Sequence, residues 1–214
     1  MKGLLVKEKC SIWNTCRTFL IIPVFFYAAL IAGVIHKGMD IDGFPIGMVY
    51  MMMGLMPISV INQEMTSRWH INALTMPYTR AQIVSAKYIA VLMINALTTV
   101  MSAAILLICL AAFGSKGGSA AAICKMLFGG IGMGLMPAVV FLPTNYKYYD
   151  SIGGKRMVIS MLAGGTIGAC NMVIMERVQK GSLFGGGFVF MCLMIVLFIV
   201  SWLLSIAFFS KKDV

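Results

Sequence analysis

The sequence predicts an all-α integral membrane protein with six transmembrane helices, and three observations carry that prediction. The chain of 214 residues is 60% hydrophobic, with a mean hydropathy of +0.94. Only 11% of its residues are charged, against roughly 25% in a soluble domain, which could not hide this much apolar surface from water. The charges divide the apolar material into six blocks, lying between Arg17 and His36, Asp42 and Glu64, Lys87 and Lys116, Lys125 and Lys147, Arg156 and Glu176, and Lys180 and Lys211. Each block approaches or exceeds the ~20 helical residues that cross a hydrocarbon core about 30 Å thick. Barrel-like alternation is absent, so helices must satisfy the backbone within lipid.

The expected spans are residues 18–35, 44–62, 86–113, 120–142, 156–175 and 184–209. Ahead of them, Met1 to Asn14 reads as a short interfacial helix, the alternative being a ragged start to the first span. Lys2, Lys7, Glu8 and Lys9 would face water or phosphate, and Leu4, Leu5, Ile12 and Trp13 the acyl boundary. The basic start followed by apolar Phe19–Ile35 suggests a signal peptide. That apolar run is longer than a signal core and no cleavage motif follows it, so it is expected to remain as an anchor. Pro23, Pro57 and Pro137 fall within spans, where each should remove a backbone bond and invite a kink. Lys125, at the end of its block, can snorkel to the interface.

Orientation follows from the basic residues. With six spans, one side holds Lys2, Lys7, Lys9, Arg17, Arg68, Arg80, Lys87, Lys147, Lys155, Arg156, Lys211 and Lys212. The other holds Lys37, Lys116, Lys125, Arg177 and Lys180. Twelve against five places both termini in the cytoplasm. The net charge of +10 is mainly an orientation signal towards anionic lipid. No basic patch interleaves with exposed aromatics, so a nucleic-acid partner is not expected. The outer loops, 37–42, 114–119 and 176–183, leave no room for an external domain.

Six cysteines (Cys10, Cys16, Cys109, Cys124, Cys170 and Cys192) show no metal-ligand spacing and read as small apolar residues, with a Cys109–Cys124 disulfide left open. Gly129-Gly130-Ile131-Gly132-Met133-Gly134 lies inside a span and follows no strand, so it serves close helix packing rather than nucleotide binding, as does Gly164-x3-Gly168. Met53-Gly54-Leu55-Met56-Pro57 reappears as Met133-Gly134-Leu135-Met136-Pro137, both copies running outside to inside, which suggests an internal parallel repeat.

The functional signal lies in the polar island from Asn62 to Tyr88. Met65, Trp69, Ala73 and Met76 make one apolar helical stripe, with Glu64, Arg68 and His70 off it. Pro77 breaks that run at Met76. Thr79-Arg80-Ala81-Gln82 then fits a capping box, with Tyr78 and Ile83 as its staple, so a new helix should start near Thr79 and feed the third span. A cytoplasmic helical loop over 63–85 is the result, lying on lipid or docking a partner.

Glu64-x4-Trp69, followed by Leu74-Thr75-Met76-Pro77-x2-Arg80-x2-Ile83-Val84-x2-Lys87-Tyr88, resembles the small bacterial ABC-2 type permeases, the group that includes the phenol-soluble modulin exporters. The second loop, with Tyr146-Lys147-Tyr148 and Gly154-Lys155-Arg156, is similar to that family's segment, except that Tyr149-Asp150 replaces a glycine. Met76 stands where leucine is usual. The start, Met1-Lys2-Gly3-Leu4-Leu5-x-Lys7, agrees as well. The resemblance implies a half-transporter whose first cytoplasmic loop is a coupling helix seated in a separate ABC ATPase subunit. Two permease copies, identical or close paralogues, would pair with two ATPases in the bacterial cell membrane. It assigns ATPase coupling to Glu64, Arg68, Trp69, His70, Pro77 and Arg80, and to Tyr146, Lys147, Tyr148, Lys155 and Arg156. It also implies that ATP and magnesium sit on the partner, with no cofactor on this chain, and that the cargo is a membrane-active peptide moved outward. The residues agree that a partner is needed, since no GxxxxGK[ST] loop is present.

Other classes fit less well. No Asp or Glu sits deep within a block, as a proton- or sodium-driven transporter generally needs. His36 and His70 lie in loops on opposite sides, so an intramembrane enzyme lacks its groups. A non-transporting scaffold or regulatory subunit would share this topology and is the standing alternative. Asn95, Thr98, Thr99, Ser102, Thr166 and Asn171 could line a polar strip or bond helix to helix. Twenty methionines would suit a hydrophobic or amphipathic cargo, and are equally good apolar helix formers.

Overall fold

A computed structural model describes residues 21–37, 46–66, 78–113, 120–147 and 185–210, together with Gly3, Val6, Lys7, Cys10, Ser11 and Thr166. Among the described residues there are helices and no strands. The helices are α1 (Ile21–Lys37), α2 (Ile46–Thr66), α3 (Arg80–Phe113), α4 (Ala120–Lys147) and α5 (Gly185–Ser210). Three of them, α3, α4 and α5, are long and apolar enough to cross a membrane; α1 and α2 carry shorter apolar stretches. The fifth expected span, 156–175, lies outside the described residues except for Thr166, which is helical and exposed.

Three helices extend past the expected spans. α2 continues to Thr66 rather than 62, α3 begins at Arg80 rather than 86, and α4 runs to Lys147 rather than 142. Each overshoot is at the expected inner end, because apolar composition marks where lipid stops, not where helical hydrogen bonding stops. Pro23 stands near the start of the described part of α1. Pro57, Pro137 and Pro143 lie within helices, which continue past them.

α4 is the hub. Of its most apolar stretch 61% is buried, against 33% for α3 and 28% for α5. Glycine makes this possible, because it lets α4 come close to α2, α5 and α3 within little more than one turn. An added Cβ at Gly130 would fall 2.5 Å from the ring of Tyr50 on α2, and one at Gly132 would fall 2.7 Å from Phe190 on α5. One at Gly134 would fall 2.6 Å from Asn95 Oδ1 on α3. The packing role expected for Gly129–Gly134 is what the structure holds. Around this hub, Met53, Met56, Leu106, Met133, Leu135 and Leu142 form the buried core. The outer flanks of α3 and α5 expose Leu97, Val100, Ile108, Val189, Val196 and Leu203, as lipid-facing helices would.

The polar residues expected along the third span serve packing. Thr98, Thr99 and Ser102 return their hydroxyls to carbonyls one turn back, at 2.9, 2.8 and 2.8 Å. Ser102 also meets the Tyr27 hydroxyl of α1, and Asn95 Nδ2 donates to the Ile131 carbonyl of α4 at 3.0 Å. Cys10, Cys109, Cys124 and Cys192 are all free thiols, so no Cys109–Cys124 disulfide is formed.

Candidate functional site at the foot of the bundle

The start of α3 is built as its sequence requires. Thr79 Oγ1 accepts from the Gln82 N–H at 3.3 Å, and Gln82 Oε1 accepts from the Thr79 N–H at 3.1 Å. This reciprocal pair is a capping box, and it fixes where the polar island turns into helix. Because the cap holds that end, the next residues point in defined directions.

Those directions lead inward. Arg80 Nη1 donates to the carbonyls of Phe209 and Ser210 at 3.3 and 3.2 Å, so the first residue of α3 caps the last turn of α5. Helix-terminal carbonyls lack intrahelical donors and carry partial negative charge, which a guanidinium satisfies on both counts. One turn on, Trp202 Nε1 donates to Ser85 Oγ at 3.1 Å. Val84 is fully buried. Tyr88 places its hydroxyl 2.8 Å from Ser201 Oγ and 2.7 Å from Ser205 Oγ, and its ring edge-on to Phe198 with centroids 5.0 Å apart.

Ser201 has a second task. Pro143 has no N–H for the carbonyl of Val139, four residues before it, and Ser201 Oγ donates to that carbonyl at 2.9 Å. Hence α4 stays helical past Pro143 on a bond borrowed from α5. The end of α4 is held to α5 by aromatic contacts as well. Tyr146 packs on Phe209 with centroids 5.5 Å apart, and Lys147 Nζ lies 5.7 Å from the centre of the Phe208 ring.

A charge cluster completes the foot. Glu64, near the end of α2, pairs with Lys87 of α3 at 2.6 Å and, through its other oxygen, with Lys7 of the amino-terminal segment. The Lys87 side chain is only 6% exposed and that of Glu64 15%, so these charges depend on each other rather than on water. Gly3 lies against the Tyr78 hydroxyl, where an added Cβ would come within 3.0 Å. Lys7 therefore departs from expectation: it is half-buried in an ion pair instead of facing solvent or phosphate.

Of the residues expected to couple an ATPase, Glu64, Arg80, Tyr146 and Lys147 all belong to this foot, with partners inside the chain. Arg68, Trp69, His70, Pro77, Tyr148, Lys155 and Arg156 lie outside the described residues. Reading the sequence missed Lys7, Ser85, Ser201, Trp202 and Ser205. The signal for two of them was present: Ser201 and Ser205, one turn apart in an otherwise apolar helix, form a face for interhelical hydrogen bonds. Among the described residues no cluster of His, Cys, Asp or Glu could hold a metal ion.

Comparison with known proteins gives one assignment. No curated protein and no solved structure matches the chain. A family profile described as ABC-2 family transporter protein matches residues 3–210, from the amino-terminal segment to the last residue of α5. That span takes in the charge cluster, the capped start of α3 and the braced ends of α4 and α5, and the chain therefore belongs to the ABC-2 family of membrane transporter proteins.

Proposed function

We propose that this chain is the permease subunit of an ABC exporter, driven by ATP hydrolysis on a separate cytoplasmic ATPase and moving an amphipathic peptide outward. In this reading the chain spans the bacterial cell membrane six times, with 156–175 as the fifth span and both termini in the cytoplasm. Two copies, identical or paralogous, pair with two ATPases that carry the ATP and magnesium.

The observation that carries this reading is the bracing of α2 and α3 on either side of the proposed coupling contact. Glu64 holds α2 to α3 through Lys87, while Arg80 and Tyr88 hold α3 to α5. Work can pass through a loop only if its two ends are stiff, and these ends are tied into the helix bundle by directional bonds. Arg68, Trp69 and His70 of that loop are then the residues that meet the ATPase, with Tyr148, Lys155 and Arg156 of the second loop beside them. Glu64, Arg80, Tyr146 and Lys147 act behind this contact by holding the ends in place.

Reconstitution of the permease with its ATPase in proteoliposomes tests the reading. Trp69→Ala should leave the complex assembled and hydrolysing ATP while peptide transport falls at least tenfold. Undiminished transport by Trp69→Ala, or extracellular labelling of a thiol placed at residue 69 on intact cells, would refute it. A scaffold would show no peptide-stimulated ATP hydrolysis in the wild-type pair.

A further inference from the structure

The duplicated pentapeptide meets itself in space. α2 and α4 lie side by side in one register, with Tyr50 against Gly130 and Gly54 against Gly134, one helical turn apart. A Cβ on Gly54 would run into the carbonyl oxygen of Gly134 and come within 3.3 Å of Pro137 Cγ. At this level the helices touch backbone to backbone, an approach that only glycine permits. The Cβ position of Gly134 is in turn covered by Asn95 of α3, which is bonded to the Ile131 carbonyl.

Each helix is also weakened at that level. Pro57 follows Gly54 by three residues, as Pro137 follows Gly134. A proline cannot donate to the carbonyl four residues back, which is Met53 in one helix and Met133 in the other. Each helix therefore lacks a backbone bond at the residue just before its crossing glycine, where bending costs least. By contrast, the missing bond at Pro143 is replaced by Ser201. Beyond the crossing, α2 continues 12 residues to Thr66 and α4 continues 13 to Lys147. At ~1.5 Å per residue these are arms of about 18 and about 20 Å, nearly equal, each ending at one of the two loops assigned to the ATPase.

We infer that the Gly54–Gly134 crossing is a pivot about which α2 and α4 rock, so that their inner and outer ends move in opposite senses. For the source of the motion this rests on the function proposed above; for the pivot itself it rests on the crossing. Bending is confined to the turn holding Met53–Pro57 and Met133–Pro137, and the close backbone contact keeps the point of rotation fixed.

Pulsed electron paramagnetic resonance on the full permease in nanodiscs, cleared of its native cysteines, tests this. Spin labels at Met48 and residue 124 report the outer ends, and labels at residue 66 and Lys147 the inner ends. In the permease alone, Pro57→Ala combined with Pro137→Ala restores both backbone bonds and should narrow the inner distance distribution by roughly half. An unchanged width overturns the pivot whatever the ATPase does. With the ATPase and a non-hydrolysable nucleotide, the two pairs should shift in opposite directions. Shifts of the same sign mean translation and also overturn it. If the proline variant narrows the distribution and the ATPase shifts neither pair, the coupling reading fails and the pivot stands.

Discussion

The foot and the middle of the bundle are joined by opposite means. At the foot, α2, α3, α4 and α5 are tied by polar side chains reaching across: Glu64 to Lys87, Arg80 to Phe209 and Ser210, Tyr88 to Ser201 and Ser205, and Ser201 to Val139. At the middle, α2 and α4 are joined by the absence of side chains at Gly54 and Gly134. Polar bonds fix direction and resist bending, whereas glycine contact fixes separation and leaves direction free. On the function and pivot proposed above, stiffness lies where force would enter and compliance where it would turn.

The largest effect should come from breaking the foot at its charges. Glu64→Ala leaves Lys87 as a buried ammonium without its carboxylate, and breaking such a pair costs about 3 kcal/mol. Thermal unfolding of the purified protein in detergent should show the loss. Combining Glu64→Gln with Lys87→Met removes both charges and should recover most of it, since a buried pair is worth little net against apolar neighbours of similar size. If Glu64→Ala melts with wild type, the cluster does not hold α2 to α3.

Next comes the middle, where the same chemical change should give two different costs. Gly54→Ala must displace the backbone of α4, and overpacking of this kind costs about 2 kcal/mol. Gly132→Ala meets the Phe190 ring instead, which can turn aside, so its cost should be clearly smaller. Equal melting temperatures for the two variants would show that backbone contact is not what sets the α2–α4 separation.

Much of this was legible in the sequence, and what escaped did so for one reason. The cap at Thr79, the packing use of Gly129–Gly134 and the helical runs all rest on neighbours within a few residues, and they hold. The repeat was visible as a repeat, but nothing local says that its two copies touch. The resemblance assigns Arg80 and Tyr146 to ATPase coupling, and nothing local shows that they also reach α5, 129 positions along the chain in the case of Arg80. Likewise the expected fourth span stops at residue 142, and nothing local shows that Ser201 from another helix supports α4 past Pro143. Tertiary contacts override local pattern wherever a side chain is long enough to choose a distant partner.

A smaller effect should follow from Ser201→Ala, which removes the donor to the Val139 carbonyl while leaving Tyr88 bonded to Ser205. A carbonyl left unpaired in an apolar setting costs about 1–2 kcal/mol, and hydrogen exchange in the last turn of α4 should rise before any change in α2. Tyr88→Phe keeps the ring on Phe198 and loses about 1 kcal/mol of hydrogen bonding. Its exchange increase should appear in α3 and α5 instead. The two variants thereby separate the α4–α5 tie from the α3–α5 tie within the foot.

The smallest effect is the most local. Thr79→Ala deletes one arm of the capping box at an exposed position, and losing such a cap costs about 1 kcal/mol. Arg80 remains able to reach the end of α5, so the bundle should stay intact while the first turn of α3 frays. Amide exchange should therefore accelerate at Ala81–Ile83 and remain unchanged from Tyr88 onward. If Tyr88 lost protection too, the cap and the tie to α5 would form one cooperative unit, and the foot would be a single clasp rather than a series of independent bonds.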